Sequence, residues 1–207
     1  MNLKLKKWRV IASFGITLFA GLAKADSVAG IFIEPGVTLQ KSELKTNFPS
    51  PFTSSSGDSN GLGLVGRAGI HLGEVLFLAA DARYAQQRYS DSSNNLQANA
   101  EAYQIGPVAG MQTPLIGLRL WAGYILAAQL NPGESNGVDF KFKDGKGYLV
   151  GAGFHILMIS LNVEYQDLTY NSVELEKLGP FSVNSNFGGT TLADKSWILS
   201  VTFPFEL

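Results

Sequence analysis

Six ionisable side chains share one parity within segments that otherwise alternate between apolar and small residues: Glu34, Asp81 and Glu164 against Arg67, Arg83 and Arg119. Three carboxylates balance three guanidiniums, and the planar arginine fork can bridge two carboxylates at once. Such a set can form an ion-pair network, or it can gate a path for charged solutes. Other chemistry is poorly supplied. The chain has no Cys, which excludes a thiol nucleophile, a disulfide scaffold and a thiolate zinc site. His71 and His155 are the two histidines, with no dense carboxylate cluster beside either, so no metal site is expected. Gly61-Leu62-Gly63-Leu64-Val65-Gly66 matches a nucleotide-binding glycine pattern literally. No strand-to-helix junction follows it, so no nucleotide and no other cofactor is assigned.

The elements that must carry these residues read as strands. Period-two alternation runs through eight segments: 28–39, 61–72, 75–88, 99–112, 116–130, 147–156, 159–170 and 195–207. One face of each collects Leu, Ile, Val and aromatic residues almost without charge. The opposite face is dominated by Gly, Ala, Ser and Gln and holds the six ionisable residues. Gaps alternate in length. Gly73-Glu74, Thr113-Pro114-Leu115 and Leu157-Met158 are short, whereas 40–60, 89–98, 131–146 and 171–194 are long and rich in Ser, Asn, Gly and acids.

The N-terminus has a separate character. Met1 to Arg9 is basic, Val10 to Ala23 is apolar and uncharged, and Ala23-Lys24-Ala25 supplies small residues at a cleavage site. This is the pattern of a secretory signal peptide over residues 1–25, which leaves 26–207 as one mature domain. Five of the 16 basic residues lie in that leader, so the remainder sets 11 basic against 17 acidic residues, a net charge of −6. A body of that charge is not built to neutralise phosphates, and no nucleic-acid partner is expected.

Eight strands with short turns on one rim and long loops on the other imply an all-β, antiparallel up-and-down transmembrane barrel in the outer membrane. A soluble barrel or sandwich would also alternate. It would, however, set charges on its outer face, whereas here the charges share the face with small residues, as a crowded interior requires. Rings sort by strand end: Tyr84, Tyr89, Tyr103, Tyr148, Tyr165, Tyr170 and Trp197 near the loops, Phe77, Phe154, Phe203 and Phe205 near the turns. Two aromatic girdles at the lipid–water boundaries are the expectation.

The leader, the eight segments and the closing run Trp197 to Leu207 resemble the small outer-membrane barrels of the OmpA, OmpX and Ail type. The resemblance implies that the last strand is read by the barrel-assembly machinery, although those barrels usually close on Phe and this chain closes on Leu207. Some barrels of that size modify lipid A with a His, a Ser and an acid near the outer leaflet. Here both histidines stand beside short turns on the other rim, and neither begins a His-x-Ser, so no catalytic residue is assigned. The expected function is a non-enzymatic barrel with a salt-bridged, plugged lumen, whose partners are outer-membrane lipid and an extracellular ligand met through the loops. The competing expectation is a narrow, porin-like passage for small solutes.

Overall fold

The computed structural model describes residues 30–50, 54–91, 96–113, 117–135, 137–186 and 188–207; the stretch 1–25, read as a signal peptide, lies outside them. The strands are β1 (Ile31–Asn47), β2 (Ser55–Leu72), β3 (Leu76–Asp91), β4 (Leu96–Gln112), β5 (Leu118–Pro132), β6 (Val138–Ile156), β7 (Ile159–Leu178), β8 (Phe181–Asn186), β9 (Thr191–Thr202) and β10 (Phe205–Glu206). Each consecutive pair from β1 to β7 is antiparallel, and β9 pairs with both β7 and β1, closing a ring of eight. Closure leaves the wall without an open edge, which lipid demands because it cannot satisfy stray N–H and C=O groups. β8 adds a short strand to β7 at the hairpin end, and β10 continues the line of β9 against β1.

β1 shows how alternation becomes a wall. Phe32, Glu34 and Thr38 point inward and are buried, while Ile33, Val37 and Leu39 point outward and are exposed. Outward residues turn ionic at Lys41, so the apolar stretch from Ile31 to Leu39 has the roughly ten-residue length of a transmembrane strand. The strand itself continues to Asn47. At roughly 3.3 Å per residue its 17 residues run about 56 Å, which at a tilt of ~40° rises about 43 Å, well beyond an apolar band of ~25 Å.

The strands therefore run well into the four gaps read as loops. In the 40–60 gap, β1 reaches Asn47 and β2 starts at Ser55; in the 171–194 gap, β7 reaches Leu178, β8 intervenes and β9 starts at Thr191. Polar sequences mislead here because a sheet that leaves the bilayer is wetted outside and needs no apolar alternation there. The eighth wall strand is interrupted at Phe203-Pro204 opposite Pro35. Neither proline has an N–H to give the ladder. Phe203 N still donates to Pro35 O at 2.8 Å, and pairing resumes in the same register at Ile33 and Phe205.

Two further departures concern the interior. It is not lined by small residues alone: Phe32, Phe77, Val108, Trp121 and Leu149 fill its turn-side half, and Leu44, Leu130, Phe142, Leu168, Tyr170 and Leu192 its hairpin-side half. Leu130, read as lipid-facing, points inward because β5 shifts register against β6 between Ile125 and Leu130. Such irregularities flip every later side chain. Phe77, Tyr89 and Tyr170, read with the girdles, are buried inside. The two-residue turn at Leu157-Met158 needs a positive φ at Leu157, which is 91% exposed at the rim.

Candidate functional site

Cross-strand register sets the charge layer. Glu34 on β1 faces Arg67 on β2, which faces Asp81 on β3, while Arg83 stands two residues further along β3. Glu164 enters from β7 and Arg119 from β5, on the far side of the ring. All six side chains meet in the interior, and none is more than 8% exposed.

Their bonds form two linked groups. Arg67 Nε donates to Asp81 Oδ2 at 2.7 Å, and Arg67 Nη2 pairs with Glu164 Oε1. Arg83 donates from Nε to Asp81 Oδ1 at 2.6 Å and from Nη1 to Glu164 Oε2 at 2.5 Å, with Nη2 contacting both acids at 3.0 and 2.9 Å. Asp81, Glu164, Arg67 and Arg83 thus make a two-by-two lattice. Arg119 forks onto Glu34 with both terminal nitrogens at 2.8 Å, and Thr202 Oγ1 also donates to Glu34. The groups touch weakly, with Arg67 Nη1 at 4.0 Å from Glu34 Oε1. Strand adjacency alone sets Arg67 between Glu34 and Asp81; it bonds Asp81 and leaves Glu34 to Arg119.

An aromatic frame holds the lattice. Trp121 Nε1 donates to Glu164 Oε1 at 2.8 Å, and the Arg67 guanidinium lies 4.6 Å from the Trp121 ring centre. Arg119 lies 5.2 Å from the Phe77 ring. Carboxylates at their edges and π faces above them hold the buried guanidiniums, and Arg67 Nη1 and Arg119 Nε are left without a hydrogen bond.

Asp194 is an interior acid that the sequence reading assigned to a loop. It projects from β9 and is 2% exposed, with Ser196 Oγ donating to it at 2.5 Å. Its height is that of outward-facing Lys195 and Asp167, an ion pair at 3.7 Å, so it sits beyond the apolar band. Burial pushes its carboxyl up to about 6. Extending the alternation of Ser200 and Ser196 by one step would have found it.

Outside, the rings assigned to the hairpin-side collar lie in cross-strand pairs: Tyr84 with Tyr103 at 5.0 Å between ring centres, Tyr165 with Trp197 at 5.2 Å. Tyr148 faces Tyr124, a collar member the sequence reading left among lipid-facing residues. Phe154, Phe203 and Phe205 are exposed at the turn-side end. His71 stacks at 4.7 Å on Phe32, near the turn-side rim. Among the described residues no group of three or more His, Asp and Glu is arranged to hold a metal ion.

A closed eight-stranded barrel with an apolar outer band, aromatic collars and its band-level charges turned inward is an outer-membrane β-barrel. Among solved structures, the chain is similar to Neisserial surface protein A at 16% identity, covering 86% of this chain and 100% of that one, with a TM-score of 0.48. Ail of Yersinia pestis, in complex with the heparin analogue sucrose octasulfate, is similar at 11% identity over 84% of this chain and 99% of that one, with a TM-score of 0.47. The outer membrane protein OprG from Pseudomonas aeruginosa follows at 12% identity over 86% and 97%, with a TM-score of 0.42. No protein-family model and no curated protein matches the chain.

Proposed function

We propose that this protein is a non-enzymatic outer-membrane barrel whose interior is occluded and whose hairpin ends supply the working surface, in a structural, adhesive or receptor role. The observation that carries the reading is the lattice of Asp81, Glu164, Arg67 and Arg83, which crosses the interior from β2 and β3 to β7. Eight strands enclose a space that side chains alone can fill. Opening it would separate buried ion pairs, and the apolar packing of Leu44, Leu168, Tyr170 and Leu192 stands between the lattice and the hairpin ends. The position of both histidines near the turn-side rim supports the absence of acid–base catalysis toward outer-leaflet substrates. The remaining partners follow from the same reading: membrane lipid at the apolar band, the barrel-assembly machinery at the C-terminal strand, and an extracellular ligand at the hairpin ends.

Planar-bilayer recording of the refolded protein tests this. No steady conductance is expected from the wild type, and intermittent openings are expected from Arg67→Ala. Steady, salt-dependent conductance in the wild type would favour a narrow channel instead.

A further inference from the structure

The described interior holds four buried carboxylates against three guanidiniums. Glu34, Asp81 and Glu164 are matched by Arg67, Arg83 and Arg119, and Asp194 is left over. Among the described residues no Lys, Arg or His nitrogen pairs with it. Its cross-strand neighbours, Leu44 on β1 and Leu168 on β7, are buried and apolar. Ser196 and Ser42 hydrogen-bond to it, and Gln40 Nε2 donates to both serines at 3.0 and 3.1 Å. These dipoles orient the carboxylate without neutralising it. Three further charged or titratable groups lie around it: Arg83 across the interior on β3, Tyr170 on β7, and Asp167 on the outer face of β7. Arg83 on β3 makes four hydrogen bonds to Asp81 and Glu164, the Tyr170 phenol is neutral, and Asp167 is acidic. A sealed interior does not tolerate an unmatched charge.

Beside Asp194 lies a cavity of about 10 Å³, lined among others by Thr38, Gln40, Gln104, Gln166 and Tyr170, and on its far wall by Arg83, whose hydrogen bonds go to Asp81 and Glu164. That is room for one water-sized species. Gln166 is 1% exposed, and its Oε1 is buried without a hydrogen-bond partner. The cavity therefore combines a carboxylate lacking a counter-charge, an amide oxygen lacking a donor, and two hydroxyls. All are hard oxygen ligands of the kind that small hard cations prefer. A divalent ion would overshoot the single surplus charge.

We infer that this cavity is a site for one sodium-sized monovalent cation, bound by Asp194 and Gln166 Oε1, which supplies the missing counter-charge of the interior. A proton on Asp194 is its competitor, since burial holds that carboxyl near 6. Above that pH the cation takes over.

The test is urea unfolding of the full barrel in lipid vesicles at pH 8, in NaCl, KCl and choline chloride at constant ionic strength. An ion that binds only the folded barrel stabilises it in proportion to its occupancy. Once the site is saturating, each tenfold rise in NaCl should therefore lower the unfolding constant about tenfold. Choline should have no effect, and potassium should act at least tenfold more weakly than sodium. Asp194→Asn should fold and lose the sodium dependence, and Gln166→Ala should shift it to higher concentration. Should Asp194→Asn fail to fold, the wild type at pH 5 replaces it, where competition from the proton should move the sodium dependence to about tenfold higher concentration. Equal unfolding in all three salts at pH 8 would overturn the inference and leave water in the cavity. So would a sodium dependence that survives in Asp194→Asn, or one whose midpoint is the same at pH 5 as at pH 8.

Discussion

Arg67 is the residue on which most of the interior converges. It bonds Asp81 and Glu164, lies against Trp121, and stands within 4.0 Å of Glu34. Truncating one partner of a buried pair strands the other, at a typical cost of about 3–5 kcal/mol, whereas removing both can be nearly neutral. Arg67→Ala should therefore destabilise by that amount, and adding Glu164→Ala should recover part of it. Double-mutant cycles from urea unfolding should give a large coupling of Arg67 to Asp81 and Glu164 and a small one to Glu34. A larger coupling to Glu34 would mean that the lattice is arranged differently. Asp194 acts in the opposite sense to a paired acid. Its carboxyl is raised from 3.8 to about 6, so between these values the folded barrel holds a proton that the unfolded chain has released. Stability is full below pH 4, falls by about 3 kcal/mol as pH rises to about 6, and is flat above that. Comparing wild type with Asp194→Asn in choline buffer isolates the effect, and Asp194→Asn should be the more stable above pH 6.

At the scale of the strand, one residue of displacement separates lipid from lattice. Leu120 on β5 faces out, and its neighbour Trp121 faces in with its indole bonded to Glu164. Leu120→Arg at mid-band should cost about 2–4 kcal/mol in vesicle unfolding. Gly151 on β6 sits directly opposite Trp121, and a Cβ added there would come within 2.3 Å of Trp121 Cε2. Gly151→Ala should therefore push the indole off Glu164 and cost roughly 1–3 kcal/mol for a single methyl. A shift in tryptophan emission should accompany the loss of stability. An unchanged spectrum would place the ring elsewhere.

For the whole molecule, the barrel extends well beyond the bilayer on its hairpin side. Protease added to intact cells should cut at the tip between β1 and β2, within 48–54, or between β7 and β9, within 179–190. It should spare 40–47, which a loop would expose and which β1 instead pairs with both β2 and β9. Cleavage confined to Gly73-Glu74 would reverse the orientation. Stability of these projecting hairpins is continuous with that of the wall, because Leu44, Leu168 and Leu192 carry the apolar packing above the collar.

Parity was legible from the sequence alone, because successive Cβ atoms on a strand point to opposite faces whatever the strand pairs with. That assigned Glu34, Arg67, Asp81, Arg83, Arg119 and Glu164 to one face and Leu120, Tyr103 and Trp197 to the other. Parity also placed Phe77, Tyr89 and Tyr170 inside, and reading them by ring type overrode it. Strand ends in the water-exposed hairpins were not legible, since a sheet wetted on its outer face needs no apolar period, and Asp194 was lost to a loop for that reason. Leu130 depended on a register shift that leaves no sequence signature. Pairing across the interior was decided by closure. Arg119 meets Glu34 and Arg83 meets Glu164 because the ring brings β5 opposite β1 and β7 opposite β3, at heights set by the register of every strand between them. No spacing within a segment encodes that sum.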